Sequence, residues 1–341
     1  MPTGQAIGAG LCMLVVICAG LMFGPQAAAY EEGVEIRAVF AHPGWQWTDG
    51  TAHERRASMI EWLDRAADAN INLLLAWVES RNLAAMLGEP RYTSEYPAWD
   101  MDEWDMIGEL IAEAEARGMQ VHLWYSFTRY KRGLIPEYDP DLTVLPPGDP
   151  DWASVTKDEY EAGHTAPTSP EVSGSALCGN EPDAHTWTLQ MLDMVFERYP
   201  GLTGLHIEEP GYLSSGRCAC YRCQTVYRQL HREPGENLLD HLKDEAGARL
   251  KSQGTDEFVR RLSDWLALKY PEMVLSFNGG FNAESERIRG RNWAQWASWG
   301  LVPFYSPQCY RLDVENYLNT VHQCIDALAG SPTVLPWLAR P

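Results

Sequence analysis

Lysine and arginine are scarce in this chain: of 341 residues, 27 are Lys or Arg against 47 Asp or Glu, a formal net charge of −20 at pH 7. Gripping phosphates needs clustered cations, and none is visible, so neither a nucleic-acid partner nor an anionic membrane surface is expected. Long apolar runs are lacking too. The run Leu11–Phe23 is too short to span a hydrocarbon core of about 30 Å. Low-complexity tracts are absent, and no glycine-rich loop follows the first predicted strand, which argues against a doubly wound sheet with a phosphate site at its switch point.

What is present is a large apolar content, 45% of the chain, enough for one sizeable core. The N-terminal run ends in Ala27-Ala28-Ala29, small residues of the kind that precede a cleavage site. Residues 1–29 therefore read as a signal peptide, and the mature chain 30–341 is expected to be secreted or periplasmic, with no membrane attachment after cleavage. The n-region has no Lys or Arg, so an uncleaved anchor is the alternative. Cys18 lacks the small preceding residue of a lipidation site.

Beyond Ala29, apolar strands alternate with amphipathic helices. Strands are predicted at Val34–Ala41, Ile71–Val78, Met119–Phe127, Leu202–Ile207, Met273–Phe277, Leu301–Tyr305 and Thr333–Trp337. Helices are predicted at His53–Asp68, Met101–Arg117, His185–Tyr199, Asp256–Tyr270, Glu284–Ser298 and Val314–Ala329. The fold class is α/β, a (β/α)8 TIM barrel of about 250 residues plus insertions, with only seven strands evident. The eighth is missing before Pro341, which points to a truncated C-terminal end or an irregular closure. Insertions are expected at about 132–181, a proline-rich lid or surface loop, and at 211–254, where Gln224–Leu250 looks helical.

The most informative stretch is Gly204-Leu-His-Ile-Glu-Glu-Pro-Gly211. Strand side chains alternate, so with Leu205 and Ile207 turned out onto helices, Gly204, His206 and Glu208 point into the barrel. Carboxylates at the carboxyl end of a barrel strand sit where such folds place catalysis. Glu208 is the primary candidate, Glu209 next to it and Glu79 at the end of the second strand the other two. A solvated acidic loop is the bland alternative. By the same parity His122 and Trp124 face inward, although a lone barrel histidine is more often a packed core residue.

Fourteen tryptophans supply flat apolar faces of the kind sugar rings stack on. Trp45, Trp77 and Trp124 lie at strand ends, and with His122, Arg129, His206, Asn278, Tyr305, Gln308 and Tyr310 they form the candidate substrate-binding set. Trp293, Trp296 and Trp299 read as helix packing instead. Cys218, Cys220 and Cys223 are close enough to converge on one ion, while disulfides among them would be strained. Cys178 is the candidate fourth ligand, and a structural zinc is the implied cofactor. In an exported protein, two disulfides drawn from these four are the alternative. Cys309 and Cys324 read as buried thiols or one disulfide.

Ala114-Glu-Ala-Arg-Gly118 leading into Val121-His-Leu-Trp124, then Gly204-Leu-His-Ile-Glu-Glu209, Asn292-Trp-Ala-Gln-Trp296, Gly300-Leu-Val-Pro303 and Pro307-Gln-Cys-Tyr-Arg311 together resemble the glycosyl-hydrolase-like family 10. That family consists of TIM-barrel glycosidases, and the resemblance runs from about Glu35 to the end. It implies a barrel glycosidase acting on carbohydrate. Relatives tend to carry Asp-Asp where this chain has Glu208-Glu209, Arg where it has Glu79, and Asn where it has Ser126. The Cys-x-Cys-x-x-Cys also resembles the zinc loop of family 42 β-galactosidases.

Glycoside hydrolysis needs two carboxyl groups, yet the last predicted strand, Thr333-Val-Leu-Pro-Trp-Leu-Ala-Arg340, has none. The expected function is a secreted glycoside hydrolase cleaving O-glycosidic bonds of a polysaccharide or glycan with strand-end carboxylates. The alternative is a non-catalytic carbohydrate-binding barrel.

Overall fold

The computed structural model describes residues 14–16, 35–47, 49–78, 104–126, 154–164, 177–212, 214–231, 237–302, 304–309, 313–328 and 333–334. In chain order the elements are β1 (Leu14–Val16), β2 (Arg37–Ala41), α1 (Pro43–Gln46), α2 (Ala52–Asp68), β3 (Leu73–Val78), α3 (Met106–Glu115), β4 (Gln120–Tyr125), α4 (Lys157–Glu161), α5 (Pro182–Arg198) and β5 (Gly204–Ile207). They continue with α6 (Tyr221–Leu230), α7 (Leu238–His241), α8 (Glu245–Lys269), β6 (Val274–Gly279), α9 (Ala283–Arg287), α10 (Trp293–Ser298), β7 (Phe304–Pro307), α11 (Val314–Leu328) and β8 (Thr333–Val334).

β2 to β8 form a parallel sheet in strict sequence order. A doubly wound sheet would reverse direction at a switch point. Unidirectional winding with a helix after most strands is the arrangement of an α/β barrel, although no pairing among the described residues joins β8 to β2. β1, inside the segment read as a leader, pairs antiparallel with β2. It takes the flank of β2 that a closing strand would occupy.

Several of the longer helices start where the sequence supplies a cap. Thr51 and Glu54 close a capping box on α2, Asp105 caps α3 through the Gly108 N–H, and Asp244 caps α8 through the Ala246 and Gly247 N–H groups. α8 starts earlier than the predicted Asp256 because Gly247 and Gly254 let it run close to other backbone. A Cβ on Gly254 would sit 2.2 Å from the Gly179 carbonyl oxygen. The predicted helix Glu284–Ser298 breaks into α9 and α10 at Gly290, whose φ of +75° is left-handed. The helical stretch predicted at Gln224–Leu250 consists of α6, α7 and the start of α8. No helix among the described residues is long and apolar enough to cross a membrane.

The two faces of the sheet are chemically distinct. Val39, Leu74, Val121, Leu123, Leu205, Ile207, Leu275 and Phe277 pack on the helices in the main core. The opposite face stacks in rows set by the register: Phe40, Leu75, His122, Gly204 and Val274, then Trp77, Trp124, His206, Ser276 and Phe304. A satellite core lies apart from both. Val155 from the first insertion packs there with Tyr212, Tyr227, Leu238, Leu250 and the four clustered cysteines. The Ala219 N–H donates to the Val155 carbonyl at 2.8 Å, and Arg217 bonds the Ser154 carbonyl and lies 3.6 Å from Glu159. The described parts of the two insertions are thus one unit.

Candidate functional site

Glu208 directly follows β5, and its N–H donates to the Tyr125 carbonyl at 2.8 Å, so the parallel ladder runs through it. Alternation then turns its side chain to the inner face, one row above His206. Glu208 is 6% exposed, and its carboxylate receives three side-chain N–H donors, from β4, from β6 and from the residue that follows β7. Trp124 Nε1 reaches Oε2 at 2.8 Å, Asn278 Nδ2 bonds the same oxygen, and Gln308 Nε2 reaches Oε1 at 3.4 Å. Burial of a carboxyl group without partners would be costly; here the partners are built in. Below lies an aromatic floor. Trp124 meets Trp77 edge-on at 4.3 Å, Phe40 at 4.3 Å and His42 at 5.2 Å between ring centres. Burial pulls His42 down to about 4, so its ring is neutral at neutral pH.

Glu209 turns the other way. Its φ is +41°, its N–H donates to Asn278 Oδ1 at 2.9 Å, and its carboxylate pairs with Arg291 Nη2 at 3.0 Å. Arg291 is buried; Nη1 holds Glu286 at 3.0 Å and Nη2 donates to the Tyr212 carbonyl at 3.3 Å. Burial alone would lower this guanidinium's pKa, but Glu209, Glu286 and Glu208 hold it above its usual value. Glu209 is therefore part of an ion-pair network with Arg291 and Glu286 rather than a second carboxylate beside Glu208 on the inner face.

Other expectations sort by parity. Asn278 and Gln308 face Glu208. Trp77 and Trp124 face inward and are buried, forming the floor. His122 and His206 also face inward, but deep: both are fully buried and lean on Phe304 at 6.1 and 6.2 Å. Burial pulls His122 to about 3 and His206 well below its normal value, His122 adding to the latter. His206 Nδ1 meets Ser276 Oγ at 2.7 Å. These histidines are neutral core residues, which corrects their assignment to substrate binding. Tyr305 is corrected as well. With Phe304 turned in, Tyr305 turns out, stacks on Trp293 at 4.5 Å and donates to the Gly280 carbonyl at 2.9 Å. Trp45 lies in α1 with its side chain outside the described residues, as are Glu79, Arg129 and Tyr310 altogether.

Three residues at the site were missed. His42 was legible, being in phase with Ala38 and Phe40. Arg291 and Glu286 were not, because the turn between α9 and α10 shows no period that marks a residue as inward.

The second cluster is the four cysteines. Cys178, Cys218, Cys220 and Cys223 are buried, with their Sγ atoms within 4.8 Å of one another. Cys178 lies 3.4 Å from Cys223 and 3.6 Å from Cys220. A disulfide needs about 2.05 Å, whereas thiolates sharing a tetrahedral ion at about 2.3 Å lie roughly 3.8 Å apart. The Cys223 N–H and Asn180 Nδ2 donate to cluster sulfurs at 3.4 Å each. The bonds from Cys218, Cys220 and Cys223, together with burial, push the Cys178 thiol well up. Cys218 is pulled well down by its cysteine neighbours despite burial. Lys251, buried close by, donates to the Ser215 and Leu242 carbonyls at 2.8 and 2.6 Å; burial pulls it to about 8 against the thiolates' opposing pull. A bound cation would let all four thiols ionise together.

The family model Glycosyl hydrolase-like 10 matches residues 35–331. No curated protein sequence matches significantly. Among solved structures, a noncanonic maltogenic alpha-amylase from Thermotoga neapolitana is 8% identical with a TM-score of 0.48, over 86% of this chain and 57% of its own. A beta-galactosidase from Bacillus circulans sp. alkalophilus is 15% identical with a TM-score of 0.49, over 81% and 40%. Trehalose-6-phosphate hydrolase from Bacillus licheniformis is 12% identical with a TM-score of 0.46, over 87% and 56%. The chain spans between 40% and 57% of the length of these three.

Proposed function

Because the chain belongs to the glycosyl hydrolase-like 10 family, we propose that it is an exported glycoside hydrolase built on a closed α/β barrel, cleaving O-glycosidic bonds of a glycan, with Glu208 as its central carboxylate. The observation that carries this reading is the inward Glu208 held by Trp124, Asn278 and Gln308 at the carboxyl ends of three strands. Three donors complement the ionised carboxylate, which suits a nucleophile or a base for water rather than the proton donor. The remaining strand-end candidate for the proton donor is Glu79. Trp77, Trp124 and His42 give the floor an aromatic character fitted to sugar rings. The N-terminal Leu11–Phe23 run followed by three alanines supports export. The spacing of the four sulfurs supports one structural zinc.

A second reading, a carbohydrate-binding barrel without catalysis, draws on Glu209, whose carboxylate is paired with Arg291 rather than standing free beside Glu208. Turnover on a panel of glycans separates the two. Glu208→Gln keeps the shape and removes the ionisable group. Its turnover is expected to fall at least about a hundredfold while glycan affinity survives. Near-wild-type turnover would remove Glu208 from the mechanism, and wild type that binds glycans but hydrolyses none would establish the binding-protein reading.

A further inference from the structure

The cysteine cluster and the Glu208 corner are joined by an unbroken run of short contacts. Tyr212 is fully buried, and its hydroxyl lies 3.9 Å from Cys178 Sγ, 4.0 Å from Cys223 Sγ and 3.2 Å from Asn180 Nδ2. Asn180 also donates to Cys223 Sγ at 3.4 Å. At the other end of the same residue, the Tyr212 N–H donates to the Arg289 carbonyl at 2.8 Å and its carbonyl accepts from Arg291 Nη2 at 3.3 Å. That Nη2 also holds Glu209 at 3.0 Å. The Glu209 N–H is bound to Asn278 Oδ1, and Asn278 Nδ2 is bound to Glu208. The loop has no slack against the 286–291 turn. A Cβ on Gly211, whose φ is +149°, would lie 2.4 Å from Arg291 Cγ and 2.9 Å from the Arg289 carbonyl oxygen. Close-packed contacts of this kind transmit displacement rather than absorb it.

We propose that Tyr212 and Arg291 are positioning residues that couple metal binding at the four cysteines to the geometry of Glu208 and Glu209. A divalent metal on the thiolates fixes the Tyr212 ring, the Tyr212 carbonyl fixes Arg291, and Arg291 holds Glu209 in its left-handed conformation. Asn278 then relays that position to the Glu208 carboxylate. The inference rests on the metal reading of the cluster, and on the glycosidase reading only for its catalytic consequence.

Amide hydrogen exchange on the full chain, zinc-loaded or chelated under reducing conditions, tests the link without reference to turnover. Chelation is expected to speed exchange of the Glu209 and Tyr212 N–H groups by roughly tenfold or more, while Leu75 and Leu123 in the sheet keep their protection. In zinc-loaded Arg291→Met the Glu209 N–H should already exchange fast with zinc content unchanged, and chelation should add nothing at Glu209. Arg291→Lys should restore most of the protection. Chelated wild type with Glu209 and Tyr212 as protected as before would overturn the proposal, as would Arg291→Met that still responds to chelation at Glu209. If chelation unfolds the whole chain, zinc-loaded Tyr212→Phe decides: faster exchange at Glu209 supports the coupling, and unchanged exchange there overturns it. Inert wild type on every glycan would sink the glycosidase reading and leave these exchange results standing.

Discussion

Trp124, Asn278 and Gln308, which donate to Glu208, are neutral side chains that support its negative charge through the direction of their N–H groups. A hydrogen bond to an ionised group contributes about 1.5–3 kcal/mol, and losing one that is needed in the transition state slows turnover by roughly ten- to a hundredfold. Trp124→Phe keeps the ring against Trp77 and Phe40 but removes the Nε1 donor. Steady-state kinetics of this variant should show kcat down by that range with KM little changed, and an unaltered kcat would mean the bond is only structural. A different sign governs the buried histidines. Burial sets His122 at about 3 against an ordinary 6.5, so between these values the unfolded chain binds the extra proton. Stability is full above about pH 6.5 and falls as pH drops toward 3, at up to about 1.4 kcal/mol per pH unit for each such residue. Denaturant melts at pH 7 and pH 5 should show the loss in wild type and a smaller loss in His122→Gln. Parity read in the sequence already had His122, Trp124, His206 and Glu208 facing inward. It could not tell the deep row from the rim, because alternation fixes a face and not a depth.

At the scale of elements, β5 illustrates how one glycine decides a row. A Cβ on Gly204 would lie 2.5 Å from the His122 ring, so this position in the strand is glycine to make room for an imidazole on β4. Gly204→Ala should cost about 1–3 kcal/mol as an overpacked core. In a His122→Ala background the same change should cost much less, a coupling that a double-mutant cycle of chemical denaturation measures directly; equal costs in both backgrounds would mean the ring is not what the glycine serves. Strands were legible because their apolar runs are bounded by turn residues, and helices such as α2 because Met59, Ile60 and Leu63 fall on one helical face; Met59 and Leu63 are buried there, with Trp62 rather than Ile60 beside them. The break at Gly290 and the early start of α8 were not. The break goes with Gly290 lying against Lys251 and the early start of α8 with Gly254 lying against Gly179, and no local period records either approach.

At the scale of the whole molecule, the described residues show an outlying core beside the barrel-like sheet, built from two insertions that α5 and β5 separate in sequence. Val155 from the first and Cys218, Cys220, Cys223, Tyr227, Leu238 and Leu250 from the second share it with Cys178. The cysteine spacing announced this site, but the joining of the insertions through Ser154, Val155 and Arg217 was hidden, since it depends on a backbone contact between Ala219 and Val155 that carries no side-chain signature. A metal that binds only the folded arrangement adds its binding free energy to stability. Elemental analysis of purified protein should therefore give about one zinc per chain, with none of the four cysteines open to thiol reagents under native conditions. Chelation should lower the thermal midpoint and open those thiols, and restored zinc should reverse both changes. Protein that contains no zinc and yields these cysteines oxidised in pairs would replace the metal with disulfides. The two insertions would then be tied together by redox state rather than by metal supply.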